Sequence, residues 1–439
     1  MLRSVLGQGG RIMRHLIIGN SAAAMGAIEA IRATDRNSEI VVIADEPHHV
    51  YSRPLITYWL GGAVDEPHMY YRPEGFYVDH SVTTMLGTRV DQIRPSDHAV
   101  LLHDGSTVTY DRLLIATGGK PFVPNVQGSE SDGVFVFTTW EDGQRIARYI
   151  DDRQARSAVV IGGGMIGIKT TEALLQRGVG VTIVELAPHV LSTALDATAS
   201  ALAEEALDRA GVRVLCSSTV KQIASQDGRA HAVVLRGAET IPCDLVVFAI
   251  GVRPNTDMIP NDSGIQIGRG ICVDAQMRTS APDVFAAGDC TESIDLLTGI
   301  GRNIATWPNA VRQGWVAGRS MAGQLDAYTG GLAMNSIDVC GLSTIAVGLT
   351  NPQPSDGCES LERIDRNTPS YRKLVIRDDR LVGAVFVGDV DRAGIYTGLI
   401  REGTPITRFR DQLLAGSFGL IALPKDYRKM LLDGEPIEP

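Results

Sequence analysis

Short aliphatic runs closed by glycine punctuate this chain, and they recur in a fixed order. The run at Ser157–Ile161 has the unbroken apolar character of a strand buried on both faces of a parallel sheet. Ile166–Leu175 continues at helical spacing, Gly178–Gly180 breaks it, and a second apolar run, Val181–Val184, ends in Glu185. Near the N-terminus the order is the same: Leu16–Ile18, a helix through Ile31, then Ile40–Ile43 leading to Asp45 and Glu46. Each copy then reaches a predicted hairpin and a last strand. Ala99–His103 and Thr107–Tyr110 flank Asp104-Gly105 before Asp111–Gly119, and Ala232–Arg236 and Thr240–Pro242 flank Gly237 before Asp244–Gly251. One plan used twice predicts two parallel-sheet units, each carrying a small β-meander.

The residues between strand and helix give the repeat a chemistry. In the second copy Gly162, Gly164 and Gly167 form G-x-G-x-x-G, with Met165 and Ile166 opening the helix beside them. Gly162 permits the tight turn, Gly164 lets backbone approach a pyrophosphate, and Gly167 lets helix and strand pack closely. The helix N-terminus supplies free N–H groups and a positive dipole end. Glu185 follows about 20 residues on, where a carboxylate accepts hydrogen bonds from an adenosine ribose. The first copy reads Gly19, Ser21 and Ala24, with Ala22 and Ala23 between, and here Ser21 puts a side chain where backbone should meet phosphate. A third apolar segment, Thr279–Cys290, ends in Gly288-Asp289, a carboxylate at a strand's C-terminal end. Thr306–Gly323 reads as a helix with Pro308 in its first turn, preceded by Trp307. Lys120–Asp152, rich in proline and glycine, reads as a connector. Beyond about Gly330 the pattern changes to antiparallel strands over Ser336–Leu349, Tyr371–Arg377 and Leu381–Gly388, then a helix-rich tail through Met430.

Composition narrows the class. The 439 residues exceed a single core, and 44% hydrophobic with 21% charged residues is ordinary for a globular enzyme. A net charge of −10 argues against a general nucleic-acid surface. No apolar run reaches the roughly 20 residues of a membrane span. Residues 1–12 are expected to be a disordered leader, and the cytoplasm is the default location. The six cysteines, Cys216, Cys243, Cys272, Cys290, Cys340 and Cys358, include no C-x-x-C pair, so no metal site is expected.

Two fingerprints, ATGGKP at Ala116–Pro121, AIGVRPN at Ala249–Asn255 and VFAAGD at Val284–Asp289 resemble, in order, the two-dinucleotide-binding-domain flavoproteins of the pyridine nucleotide-disulfide oxidoreductase superfamily. The resemblance implies an α/β fold of two Rossmann-like domains with β-meander inserts, glutathione-reductase-like, plus a C-terminal α+β domain. It implies FAD bound by residues 13–122 and 256–328, NAD(H) by 123–255, and an interface or partner domain at 329–439. For FAD it implicates Gly19, Ser21, Ala22, Ala23, Ala24, Asp45 or Glu46 on the ribose, Arg53, Pro54, Ala116, Thr117, Gly118, Gly288, Asp289 on the ribityl chain, Trp307 and Pro308. For NAD(H) it implicates Gly162, Gly164, Met165, Ile166, Gly167, Glu185, Ala249, Ile250 and Gly251. No cysteine precedes Cys216, so the redox thiol of the disulfide reductases is missing. YSRPLITY (Tyr51–Tyr58) instead resembles the Y-x-R-P-x-L-S element of ferredoxin and rubredoxin reductases, apoptosis-inducing factor and the flavin part of NAD(P)H-nitrite reductases. Tyr371–Ile400 is similar to the nitrite-reductase branch and to FAD subunits of aldehyde and 2-oxoacid oxidoreductase complexes.

These likenesses imply an NADH:acceptor oxidoreductase, the NAD-linked flavin subunit of a larger redox complex, passing electrons to or from a separate iron–sulfur or metal protein. A homodimer or a hetero-oligomer fits equally. The alternatives are a stand-alone NADH oxidase and a flavin-bound redox sensor or scaffold. A carboxylate at Glu185 disfavours a 2′-phosphate by roughly 1–4 kcal/mol, so NAD(H) is expected over NADP(H). One departure stands out. Related reductases carry lysine and glutamate where this chain has Tyr58 and Lys169. Lys169 is therefore expected to act in catalysis, with its charge beside flavin N5, the competing expectation being a lysine that extends along its helix to solvent.

Overall fold

A computed structural model describes residues 12–423 apart from Arg366 and Ser417. The leader expected at 1–12 and the tail beyond Leu423 therefore lie outside the described residues, Ile12 excepted. In chain order the helices are α1 (Ala22–Thr34), α2 (Ile56–Leu60), α3 (Phe76–Asp79), α4 (Trp140–Arg153), α5 (Met165–Gln176), α6 (Ala197–Arg209), α7 (Trp307–Met321) and α8 (Ala393–Glu402). By their contacts the described residues form two compact units, one within Met1–Ser52, Glu66–Lys120 and Val252–Gly331, the other within Arg53–Asp65, Pro121–Gly251 and Leu332–Pro439. Residues 53–65, assigned by resemblance to the flavin domain, thus pack with the second unit, and so does the C-terminal domain.

The first unit is built on a five-stranded parallel sheet in the order Val284–Ala286, Arg112–Ile115, Arg14–Ile18, Glu39–Ala44, Val82–Leu86. Ile18 pairs with Ile43 on one side and Ile115 on the other, which sets the turns after these strands along one sheet edge. One face is covered by α1 and α7, whose crossing is unusually close. A Cβ on Gly314 would stand 2.0 Å from the Ala23 carbonyl oxygen, one on Gly318 2.4 Å from that of Ala27, and one on Gly26 2.5 Å from that of Val311. Only glycine allows this approach. It buries Met25, Ile28 and Ile31 completely, each worth roughly 1.5–3 kcal/mol. The expected meander is present as Val90–Arg94, Ala99–Leu102 and Thr107–Thr109.

The second unit repeats the plan. Its parallel sheet runs Arg213–Leu215, Gly180–Val184, Ser157–Ile161, Leu245–Phe248, Val134–Val136, and its meander is Val220–Gln226, Arg229–Leu235, Thr240–Pro242. The connector reading of Lys120–Asp152 is corrected here. Val134–Val136 is the edge strand of this sheet, and α4 follows as a full helix opened by a reciprocal capping box between Thr139 and Asp142. The C-terminal sheet is antiparallel, in the order Met334–Val339, Leu342–Gly348, Arg380–Val387, Ser370–Arg377, Glu359–Asp365. It is tied to α6 through Asp196, the helix N-cap. Asp196 accepts from the Ala199 N–H at 2.9 Å, and its second oxygen accepts from the Tyr371 hydroxyl and the Lys373 ammonium, each at 2.8 Å. The pair is nearly buried, with side chains 14% and 9% exposed. After this sheet α8 is followed by short turns at Arg410–Gln412 and Leu420–Ala422 rather than by further long helices among the described residues. Among the described residues no helix is long and apolar enough to cross a membrane.

Candidate functional site

In the second unit the three fingerprint glycines meet three different surroundings. Gly162 has φ +111°, and a Cβ there would stand 2.5 Å from the Ala249 carbonyl oxygen. Gly167 lies in the first turn of α5, where a Cβ would come within 1.9 Å of the Gly162 carbonyl. Protein packing alone demands glycine at both. Gly164 differs: it has an ordinary backbone (φ −77°) and caps α5, yet nothing lies within 4 Å of where its Cβ would be. The space is open at the helix end, with no side-chain cap and no acidic residue in the first turn. This is the cradle a pyrophosphate requires. Met165 and Ile250, both apolar, remain 38% and 37% exposed beside it. Ile161 pairs with Val184 and Phe248, so Gly162, Glu185 and Ala249–Gly251 gather at one sheet edge. The Glu185 carboxylate is already held there: Oε2 accepts from the Gly163 N–H at 2.5 Å and Oε1 from the Ala187 N–H at 2.6 Å.

The first unit gathers Gly19, Asp45 and Glu46, Ala116–Gly118 and Gly288 at the equivalent edge. Gly19 has φ +114°, and a Cβ would stand 2.1 Å from the Ala116 carbonyl oxygen. Ser21 is the N-cap of α1 in extended conformation, but its hydroxyl makes no capping bond. Ala22, Ala23 and Ala24 follow, all buried. Asp45 is exposed and accepts from the Glu46 N–H at 3.0 Å, whereas Glu46 accepts from the Tyr51 hydroxyl at 2.5 Å. The Thr117 hydroxyl donates to the Asn255 carbonyl at 2.7 Å, and the Asn255 N–H donates to Gly118 at 2.9 Å. The Gly288 N–H donates to Gln313 Oε1 at 2.7 Å, and Gln313 Nε2 donates to Ser293 at 2.9 Å. The Asp289 carbonyl accepts from Asn303 at 2.8 Å. Trp307 and Pro308 open α7, with the indole edge-on to Tyr71 at 4.9 Å between centroids. Arg53 and Pro54 fall in the other unit, where the Arg53 guanidinium donates to the Thr138 carbonyl at 2.9 Å.

Lys169 does not extend to solvent. Its ammonium is ion-paired with Glu172, lies 3.4 Å from the Asp338 carbonyl and 5.1 Å from the Tyr58 ring centroid, and its side chain is 19% exposed. The two departures from the related reductases are therefore neighbours in space. Burial opposes the charged form, but the Glu172 carboxylate outweighs it and holds the ammonium above the ordinary lysine range. Four of the cysteines are poor nucleophiles: burial pushes Cys243 up to about 12 and Cys290 to about 11, and burial with nearby carboxylates pushes Cys216 to about 12 and Cys340 to about 11.

Sequence reasoning missed Gln313, Glu172 and the α1–α7 glycines. Gly314 and Gly318 form a G-x-x-x-G at helical spacing, and Lys169 and Glu172 stand one turn apart, so both signals were present. The contact of Glu172 with residue 340 had none.

The chain is matched by the pyridine nucleotide-disulphide oxidoreductase family over residues 13–314 and by the rubredoxin NAD+ reductase C-terminal domain over residues 334–404. It is 31% identical over 405 residues to the NADH-dependent phenylglyoxylate dehydrogenase subunit epsilon of Aromatoleum evansii, covering 92% of this chain and 94% of that protein. With the NADH oxidase of Methanocaldococcus jannaschii it shares 34% identity over 318 residues, 71% of this chain and 70% of that one. A NAD-dependent persulfide reductase from A. fulgidus superposes with a TM-score of 0.84 at 28% identity, over 91% of this chain and 78% of that one.

Proposed function

The chain belongs to the pyridine nucleotide-disulphide oxidoreductase family and is an NAD(P)H-dependent FAD oxidoreductase; we propose that it is the NAD-linked flavin subunit of a larger redox complex, exchanging electrons with a separate iron–sulfur or metal protein in the cytoplasm. The observation that supports the subunit reading is the likeness, over nearly the whole of both chains, to a subunit of an NADH-dependent phenylglyoxylate dehydrogenase, and the open space at Gly164 next to a carboxylate fixed at Glu185 supports its NAD link. When bound, the pair of cofactors supplies hydride transfer from nicotinamide to flavin and onward release of electrons. The residues do the rest. Gly162, Gly164 and Gly167 shape the turn that meets the NAD pyrophosphate, and the N–H groups opening α5 donate to it. Glu185 receives the adenosine ribose hydroxyls and repels a 2′-phosphate. Gly19, Ser21 and Ala22–Ala24 hold the FAD pyrophosphate at α1, Glu46 or Asp45 its ribose, and Asp289 its ribityl chain. Trp307, Pro308 and Ala116–Gly118 border it. Lys169, with Tyr58 against it, serves the nicotinamide end of the second site. The high-lying thiols support a route without a cysteine relay.

The test is anaerobic titration of the FAD-loaded protein with NADH, then addition of oxidised rubredoxin, ferredoxin or the co-purifying subunit. Bleaching followed by carrier reduction supports the reading, and a flavin that NADH never bleaches ends it. The likeness to an NADH oxidase favours one second reading, direct reduction of oxygen. Rapid oxygen consumption by the purified chain, unaffected by carriers, would replace the first reading with that one.

A further inference from the structure

Three elements of the second unit converge on the Lys169 ammonium: Glu172 one turn along α5, the ring of Tyr58 on α2, and the Asp338 carbonyl of the C-terminal sheet. Glu172 is more than an exposed helix partner, because its side chain is only 13% exposed and its two oxygens do separate work. Oε2 holds the ammonium, while Oε1 accepts from the Cys340 N–H at 2.7 Å. Cys340 and Gly341 form the two-residue turn between Met334–Val339 and Leu342–Gly348, both with positive φ (+49° and +89°), the geometry of a tight hairpin. The Gly341 N–H donates to Asp338 at 2.7 Å, so the turn that presents the Cys340 amide is itself tied down. An exposed lysine–glutamate pair spaced this way is mobile and worth about 0.3–0.5 kcal/mol. Here the carboxylate is anchored from a distant part of the chain.

We propose that Glu172 is a positioning residue for Lys169: anchored by the Cys340 amide, it fixes the ammonium and screens its charge, so that the nicotinamide site faces a neutral ion pair instead of a bare cation. This rests on the placement of Lys169 at the nicotinamide end given above. The consequence follows from the coenzyme's own charge. The oxidised nicotinamide ring is cationic and the reduced ring is neutral, so an unscreened ammonium penalises NAD+ relative to NADH. Glu172 removes that penalty and lets both redox forms bind.

The experiment uses the FAD-loaded, oxidised protein and two ligands that leave the flavin oxidised, NAD+ and the neutral non-reducing analogue 1,4,5,6-tetrahydro-NAD. Calorimetric titration gives the ratio of their dissociation constants, NAD+ over analogue. Glu172→Gln is expected to raise the ratio by about threefold or more, Lys169→Met to lower it, and the double variant to return it toward the parent value. A structural role alone would leave the Glu172→Gln ratio unmoved, or shift it the way Lys169→Met does, and either result overturns the proposal while Lys169 keeps its place. If neither single variant moves the ratio, the placement of Lys169 fails instead. Should Glu172→Gln not fold, adding it to Lys169→Met must still raise the ratio, and a ratio that stays put overturns the proposal.

Discussion

The two dinucleotide units share a plan and differ in how their glycine turns are supported. In the second, Gly164 leaves open space at the helix end and Glu185 is held by backbone N–H groups. In the first, the equivalent position is Ser21, the carboxylate Glu46 is held by a tyrosine hydroxyl, and the fingerprint helix is clasped by a second helix at glycine-only distance. The first turn is thus built into its surroundings, and the second is open at its helix end.

The sharpest way to break this contrast is at the α1–α7 crossing. Gly314→Ala places a Cβ against the Ala23 carbonyl, and a loss of about 3 kcal/mol or more is expected, read as a lower urea midpoint and a colourless preparation. The central strands differ too: His15 is buried in the first where Ala158 stands in the second. Burial, assisted by Arg112, lowers the His15 pKa to about 4, and neither ring nitrogen finds a partner among the described residues. The unfolded chain therefore takes up the proton first. Stability from this residue is complete above about pH 6.5 and is lost as pH falls toward 4, by up to about 3 kcal/mol. His15→Leu is expected to flatten that slope in pH-resolved unfolding. Glu185→Ser should narrow the preference for NADH over NADPH by about tenfold or more in kcat/KM. Gly164→Ala, with no neighbour to strike, should cost the fold less than about 1 kcal/mol while weakening NAD+ binding about tenfold.

Both fingerprints were legible because their determinants are local: an apolar run, a glycine at positive φ, a helix, and a carboxylate at the next strand's end. The meanders were legible for the same reason, since a short turn between β-branched runs decides the pairing. Val134–Val136 was not, because a run of four apolar residues between Gly133 and Thr138 carries too little pattern, and pairing with Leu245–Phe248 alone makes three of them a strand. The helix after it was concealed by the prolines upstream. Its signal lay in Thr139 and Asp142 and in Trp140, Ile146, Tyr149 and Ile150, which share its buried side. Ser21 was legible as a departure, whereas its idle hydroxyl was visible only in the fold. The neighbourhood of Lys169 with Tyr58 was suggested by two coupled substitutions, but the carboxylate that joins them to the C-terminal sheet depends on contacts remote in sequence.

The tie between Asp196 and Lys373 limits how this architecture can be recombined. A C-terminal sheet transplanted from a member without a lysine and a tyrosine at the positions of Lys373 and Tyr371 would strand a carboxylate in a nearly dry seam at a cost of several kcal/mol. Chimaeras that exchange the C-terminal sheet should therefore trade residue 196 along with it, and lineages that shuffled these modules would be expected to carry the same coupled replacement.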